Sequence, residues 1–422
     1  MGGMSGVEGA AILAAWATVG FGLLYFLVAL AGSLRADRAA VRAADARNQR
    51  FTAEVESLRK RRDLVAASDA NAWNGFRKFR LVKKDMECEG ICSFYLAPHD
   101  GRALPPFKAG QYLTFRFRVP GQDKDVVRCY SISDRPYPDR YRITVKRLPP
   151  PPKEPTAPPG LISSHLHANL NEGDIIDVRA PAGQFHVDLD QTKGIVLIGA
   201  GVGLTPVLAM LNAVIESGRD REVWFFHGVR NRTEHPMKAY LMEVARRHAN
   251  VHVRFCYSDP TPECQPGTDY HHQEHISVDL LKRELPSNNF AFYFCGPAAM
   301  NPLADRLVEW GVPRDDVHYE VFGGASVKAV APPPAAADSF LITFGKTGKS
   351  VEWSAAKGTV LELAESAGIA MDSGCRAGNC GTCTTALLDG SVDYATPPGA
   401  PVEKGSCLVC VAYPRSNLRL DA

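Results

Sequence analysis

Cys375-Arg-Ala-Gly-Asn-Cys380-Gly-Thr-Cys383, followed by Gly405-Ser-Cys407-Leu-Val-Cys410, is the stretch around which this 422-residue chain is read. Three cysteines at C-x4-C-x2-C with a distant fourth have the spacing that holds a [2Fe–2S] cluster. Thiolate sulfur suits iron–sulfur centres, and a tight loop can deliver three ligands at once. Gly374, Gly378 and Gly381 punctuate that loop. Glycine lets backbone approach an inorganic core and permits positive φ. A zinc site and a disulfide framework are the alternatives. Cys375, Cys380 and Cys383 are the expected metal ligands, and on chemistry alone Cys407 and Cys410 are both open as the fourth. A one-electron centre needs an electron source, and the remainder of the chain supplies candidates.

The composition is globular, with 45% hydrophobic and 22% charged residues, and the formal charge of +2 gives no push toward nucleic acid. The length sets a prior of about two to four domains. Seven of the eleven cysteines lie outside the cluster set, without regular spacing, which favours a reducing compartment.

From Ala10 to Leu34 no residue is charged. About 20 apolar residues suffice to span a bilayer as a helix. A transmembrane helix is expected over 10–34, after a short non-cytoplasmic segment 1–9. Arg35, Arg38, Arg42, Arg47 and Arg50 follow the apolar run, and no basic residue precedes it. Positive charge stays inside, so the remainder is placed on the cytoplasmic side of an inner membrane. Residues 35–74 read as a helical spacer; Phe51, Val55 and Leu58 form only a thin apolar stripe on it.

Alternating strands begin near residue 75: Phe79-Arg-Leu-Val-Lys, Ile91 to Leu96, Tyr112 to Phe117 and Tyr141 to Lys146. Short strands at regular intervals with turn signals predict an antiparallel barrel, here over 75–190. Within it lie Arg128-Cys-Tyr-Ser131, Ile143-Thr-Val-Lys146, Gly160-Leu-Ile-Ser163 and Pro181-Ala-Gly-Gln-Phe185. Over 191–328 strands alternate with helices, which predicts a parallel α/β, Rossmann-like sheet. Gly199-Ala-Gly201-Val-Gly203-Leu-Thr205-Pro206 is a glycine turn entering a helix, a place for a nucleotide pyrophosphate. Cys295-Gly296-Pro297 and Glu320-Val-Phe322 end later strands. The Pro/Ala stretch 329–338 is a linker, and 339–422 returns to strands, a helix and the cysteine loop.

These motifs, in this order, resemble the ferredoxin–NADP reductase superfamily joined to a C-terminal plant-type ferredoxin, the arrangement of oxygenase reductases. The resemblance implies a multidomain α+β protein: a flavin barrel, a nucleotide domain and a β-grasp ferredoxin domain behind the membrane helix. It implies FAD rather than FMN, a [2Fe–2S] cluster, and NADH or NADPH. It gives Arg128 the flavin diphosphate, Tyr130 the ring face and Ser131 the reactive edge. Val145, Lys146, Gly160, Ile162 and Ser163 would complete the flavin site, the last three facing the pyrophosphate. Gly201, Gly203, Thr205, Pro206, Gly296 and Pro297 would bind the nicotinamide nucleotide. Cys295 would stand beside the nicotinamide and Phe322 near the flavin; an inert buried thiol and a core aromatic are the plain alternatives. Arg230 follows the second strand, where a 2′-phosphate would be met, and surface arginines are common enough to leave NADH and NADPH open. The resemblance selects Cys410 over Cys407, and Arg376 and Asn379 become candidate docking residues. The expected function is electron transfer from NAD(P)H through FAD and the cluster to a protein acceptor such as an oxygenase, desaturase or similar metalloenzyme. A respiratory subunit reducing quinone is the alternative. The loop 263–275, with Cys264, His271, His272 and His275, is left without a role, a metal being conceivable.

Overall fold

The computed structural model describes residues 16, 20–24, 73, 75–122, 125–150, 155–322, 339–373, 376, 378, 381–394, 398 and 402–422. The chain divides into two units, Met1–Ala67 and Ser68–Ala422. In the first, residues 16 and 20–24 are helical and expose Trp16, Phe21, Leu23 and Leu24. The rest of the expected membrane helix, nearly all of the spacer 35–74 and the linker 329–338 lie outside the described residues. Among the described residues no helix is long and apolar enough to cross a membrane.

The second unit begins with six antiparallel strands: β1 (Arg77–Cys88), β2 (Ile91–Pro98), β3 (Tyr112–Phe117), β4 (Val126–Ser131), β5 (Tyr141–Lys146) and β6 (Ile175–Val178). Their order is β4-β3-β6-β1-β2-β5. An Ile132–Ile143 bridge, with the Ser133 N–H donating to the Arg142 carbonyl at 2.8 Å, joins the two ends into a barrel. In the first half of β1, Phe79 and Leu81 turn inward and Lys78 and Arg80 outward, the period of two that marked it as a strand. Phe94, Leu96, Phe115 and Ile143 fill the same interior.

Five parallel strands follow: β7 (Ile195–Ala200), β8 (Val223–Val229), β9 (Val251–Tyr257), β10 (Ala291–Pro297) and β11 (Val317–Phe322). They are ordered β11-β10-β7-β8-β9. Both faces are buried, so the strands are apolar throughout rather than alternating. Leu197, Phe225 and Phe255 pack on one face with the helix Leu204–Glu216. Ile198, Phe226 and Phe294 pack on the other, against Leu281 and Leu307. The chain leaves β7 toward β8 on one side and later returns to β10 on the other. The carboxyl ends of β7 and β10 therefore flank a topological switch point, where such sheets bind ligands.

The last sheet joins β12 (Phe340–Phe344), β13 (Lys349–Trp353), β14 (Thr384–Asp389), β16 (Ser406–Leu408) and β18 (Leu418–Leu420), ordered β13-β12-β18-β14-β16. β15 (Val392–Tyr394) and β17 (Ala412–Pro414) form a ribbon. A helix, Val360–Ser366, starts at a capping box in which Thr359 and Glu362 satisfy each other's backbone N–H. It buries Val360, Leu363 and Ala364 beside Phe344, Trp353 and Leu408.

Candidate functional site

β7 ends in a tight turn, Gly201–Gly203, that runs into the helix Leu204–Glu216. Gly201 has φ +54, while a Cβ on Gly203 would lie 2.3 Å from the Cys295 carbonyl oxygen. The first glycine is there for its conformation and the second for close approach to β10. Thr205 donates its hydroxyl to the Val202 carbonyl at 3.1 Å, and Thr205 and Pro206 are both buried in the first turn of the helix. Helix N–H groups without intrahelical partners are thereby gathered at the end of β7, a cradle for a pyrophosphate.

Beside this turn, Cys295 on β10 and Glu320 on β11 are register partners, so both side chains leave the sheet on one side. Cys295 is wholly buried, and burial pushes its thiol well above the ordinary range. Ser131, the last residue of β4, faces the Glu320 carboxyl. Oε2 of Glu320 is sealed from solvent and has no hydrogen-bond partner among the described residues. Burial raises the carboxyl pKa to about 7; the Ser131 hydroxyl nearby pulls the other way and loses. A Cβ on Gly296 would lie 2.8 Å from Ala200 Cβ, which cannot swing aside. Phe322 ends β11, half-buried and in register with Pro297. Barrel and nucleotide sheet thus meet at Ser131, Cys295 and Glu320, with an orphaned carboxylate oxygen between them.

On the barrel, Arg128 is exposed and its guanidinium donates to the Val127 carbonyl at 2.7 Å. Tyr130 meets Phe115 edge-on, and burial raises its phenol pKa. The Val145 carbonyl accepts from His167 Nε2 at 2.9 Å. Gly160 leads into the helix Leu161–Ala168, where Ile162 is buried. The Ser163 hydroxyl, expected to face the pyrophosphate, donates to the Gly160 carbonyl at 3.1 Å and accepts from the Leu148 N–H at 3.2 Å. It ties the loop to the strand end instead. Lys146 Nζ is paired with Glu234 Oε2 at 2.5 Å, and Arg230 stands 3.5 Å from the other oxygen of the same carboxylate. An expected flavin contact and an expected nucleotide contact are therefore gathered on one acid that no motif in the sequence singles out.

At the C-terminal site the Cys383 and Cys410 sulfurs are 3.2 Å apart. They converge from the start of β14 and the turn after β16, as two ligands of one centre would. Cys407 lies on β16 opposite Thr385, fully buried, with its thiol pushed up to about 12 by burial. Cys375, Cys380 and Asn379 lie outside the described residues. Arg376, expected to be a docking residue, adopts φ 56 and pairs its guanidinium with Glu365 at 3.0 Å.

Three family profiles match in sequence: an oxidoreductase FAD-binding domain over 78–187, an oxidoreductase NAD-binding domain over 197–306, and a 2Fe-2S iron-sulfur cluster binding domain over 343–415. The FAD/NAD-binding domain of nitric oxide dioxygenase from Vibrio cholerae is 30% identical, and its whole length is matched by 59% of this chain at a TM-score of 0.53. The chain belongs to the ferredoxin–NADP reductase family of flavoproteins. It is an NAD(P)H-dependent oxidoreductase with FAD and [2Fe–2S] as cofactors. Phthalate dioxygenase reductase is similar over 83% of this chain and 98% of its own, at 27% identity and a TM-score of 0.52. The flavohemoprotein of Halalkalibacterium halodurans is 39% identical over 265 residues, 63% of this chain, and the chain spans 64% of that protein's length. The residues present fit these groups: two converging thiols for the cluster, a glycine cradle for the nucleotide, and an orphaned acid at the seam.

Proposed function

We propose that this reductase passes electrons from NAD(P)H through FAD to its [2Fe–2S] centre and on to a separate protein, an oxygenase, desaturase or similar metalloenzyme. The observation that carries this reading is the 2Fe-2S domain following FAD- and NAD-binding domains in one chain. Phthalate dioxygenase reductase, similar along nearly its whole length, is a modular structure for electron transfer from pyridine nucleotides to [2Fe-2S]. Bound flavin accepts a hydride and gives up electrons singly, so it couples the nucleotide to the cluster.

The chain's own residues position and tune. Gly201, Gly203, Thr205 and Pro206 cradle the nucleotide pyrophosphate. Cys295, Gly296 and Pro297 wall the nicotinamide, and Phe322 lies against the flavin. Arg128, Tyr130 and Gly160 hold FAD. Ser131 faces the Glu320 carboxyl, which holds a proton in the range just below neutral pH because burial raises its pKa to about 7. Lys146 and Arg230 organise the nucleotide entrance through Glu234. Cys375, Cys380, Cys383 and Cys410 ligate the cluster, and electrons leave from it.

The charge-free run 10–34 anchors the reductase in the inner membrane, with the catalytic domains cytoplasmic. The exposure of Trp16, Phe21, Leu23 and Leu24 supports an apolar surface that seeks lipid. Membrane fractionation with NAD(P)H–cytochrome c assays tests both parts. Full-length protein is expected in the membrane fraction, and a variant lacking 1–34 in the soluble fraction with undiminished turnover. Failure of both nucleotides to support turnover would sink the reductase assignment. Full-length protein in the soluble fraction would sink the anchor.

A further inference from the structure

Behind the glycine turn stands a pair of buried histidines with no part in the electron path. His227 on β8 is fully buried, and its Nε2 lies 3.1 Å from the Gly201 carbonyl oxygen. A carbonyl only accepts, so Nε2 carries the proton. Burial lowers the His227 pKa to about 4, the Gly201 bond opposing, so the ring is neutral at pH 7 and its Nδ1 is a bare acceptor. That Nδ1 is shut off from solvent and has no hydrogen-bond partner among the described residues.

His235 meets His227 edge to face, with 5.0 Å between ring centroids. It too is buried, at 5% exposure, and packs on Phe255. Its pKa is lowered to about 2 by burial first, then by His227 and Lys238. Its Nδ1 is 2.9 Å from the Tyr257 hydroxyl, and its Nε2 is sealed and without a partner among the described residues. When the Tyr257 hydroxyl donates to Nδ1, the His235 proton sits on Nε2, which is then a donor beside the acceptor Nδ1 of His227. Buried polar groups are seldom left unpaired, and here a spare donor and a spare acceptor lie on touching rings. Tyr257 ends β9. Its ring stacks on Tyr270 at 5.0 Å, and its N–H donates to the His272 carbonyl at 2.8 Å, both within the loop 263–275.

We propose that Tyr257, His235 and His227 form one hydrogen-bonded chain, closed through a single buried water, that fixes the Gly201 carbonyl and makes His227 a positioning residue for NAD(P)H. In a trans peptide the carbonyl and the following N–H point opposite ways. With the Gly201 carbonyl held by His227, the Val202 N–H is aimed away from it, outward from the turn. The chain presets that donor before nucleotide arrives, and the loop carrying Tyr270 and His272 buttresses its far end. The proposal rests on the turn being the pyrophosphate site.

The test uses the full-length reductase and steady-state ferricyanide reduction with whichever nucleotide turns over. His227→Leu is expected to raise the nucleotide KM about tenfold with kcat held within about twofold and FAD content unchanged. His227→Gln, which restores an N–H near the place of Nε2, returns KM to within about threefold of the parent, and Tyr257→Phe raises it about threefold. Equal KM in the Leu and Gln variants, or a fall in kcat at unchanged KM, overturns the proposal. If His227→Leu does not fold, Tyr257→Phe decides, and an unchanged KM there is fatal. Gly201→Val separates the two readings. If it raises KM while His227→Leu does not, the chain is refuted alone. If it leaves KM unchanged, the turn and the chain fall together.

Discussion

Ser131 faces the Glu320 carboxyl across the seam between the flavin barrel and the nucleotide sheet. One residue ends a barrel strand and the other lies near the end of the outermost parallel strand, so the two meet only when the domains are docked. Oε2 of Glu320 is left as the unspent polar atom at that seam.

The raised Glu320 pKa makes a pH prediction with a definite sign. The folded state keeps a proton that the unfolded chain releases above its ordinary value of 4.5, up to about 7. Between those limits the native state binds more protons, so stability falls as pH rises through that window and levels off above it. Urea midpoints between pH 4 and pH 8 should show that fall in the parent protein, and Glu320→Gln should flatten it. An unchanged slope in the variant would assign the dependence to other groups.

Gly203 and Gly201 should respond differently to alanine. At 203 the new Cβ would press on the Cys295 backbone at 2.3 Å, where nothing flexible can yield. A cost of about 1–3 kcal/mol is expected there, with nucleotide affinity down at least about tenfold. At 201 the space is open and only the φ of +54 opposes, for about 1 kcal/mol. Isothermal titration with NAD(P)H and thermal denaturation would rank the two; equal effects would refute close approach as the reason for Gly203.

Lys146 and Glu234 form a half-buried ion pair, with side chains 28% and 23% exposed, from barrel to nucleotide domain. A double-mutant cycle with Lys146→Met and Glu234→Gln should give a coupling of about 1 kcal/mol, smaller in high salt. Because Arg230 shares Glu234, losing the acid should cost more than losing the lysine. The reverse order would show that Arg230 contributes nothing.

The convergence of Cys383 and Cys410 predicts which thiols the cluster needs. Cys410→Ala should abolish the iron–sulfur absorption and electron paramagnetic resonance signal, with NAD(P)H–ferricyanide turnover retained and cytochrome c reduction lost. Cys407→Ala should keep the signal and lower stability by about 1 kcal/mol through the small cavity it leaves. Loss of the signal in the second variant would reassign the fourth ligand.

Much of the fold was legible because its signals are local. The period of two at Phe79 and Leu81 marks a half-buried strand, and the unbroken apolar run of β7 marks one buried on both faces. The glycine turn is local too and enters a helix where the sequence placed it, and the cysteine spacing lies within the matched 2Fe-2S domain. What was hidden depends on long-range partners. Ser131 faces Glu320 only with two domains in place, which its own strand cannot announce. Glu320 stands in a motif that says nothing of its role, because no pattern tells a buried acid from an exposed one. Ser163 was assigned to a phosphate, and its hydroxyl is occupied by Gly160 and Leu148. Arg376 is a candidate docking residue by its place between the ligands, and its pairing with Glu365 on the neighbouring helix is invisible to that spacing. Two of the three histidines of the 263–275 loop are engaged in structure: His271 Nδ1 accepts the Phe255 N–H at 2.9 Å, and His272 Nε2 lies 3.2 Å from Glu284.

The strand order of the last sheet sets a timetable. β18 is the latest of its strands in sequence and lies at its centre, parallel to β12 and antiparallel to β14. Until residue 420 has cleared the ribosome, β12 and β14 have no strand between them and the helix Val360–Ser366 has an incomplete surface to cover. The barrel and the nucleotide sheet, complete by residue 322, can finish earlier. A nascent chain would thus hold folded flavin and nucleotide domains while the last sheet still lacks its central strand. A stalled or truncated product would be a diaphorase without an outlet, reducing small dyes and passing nothing on.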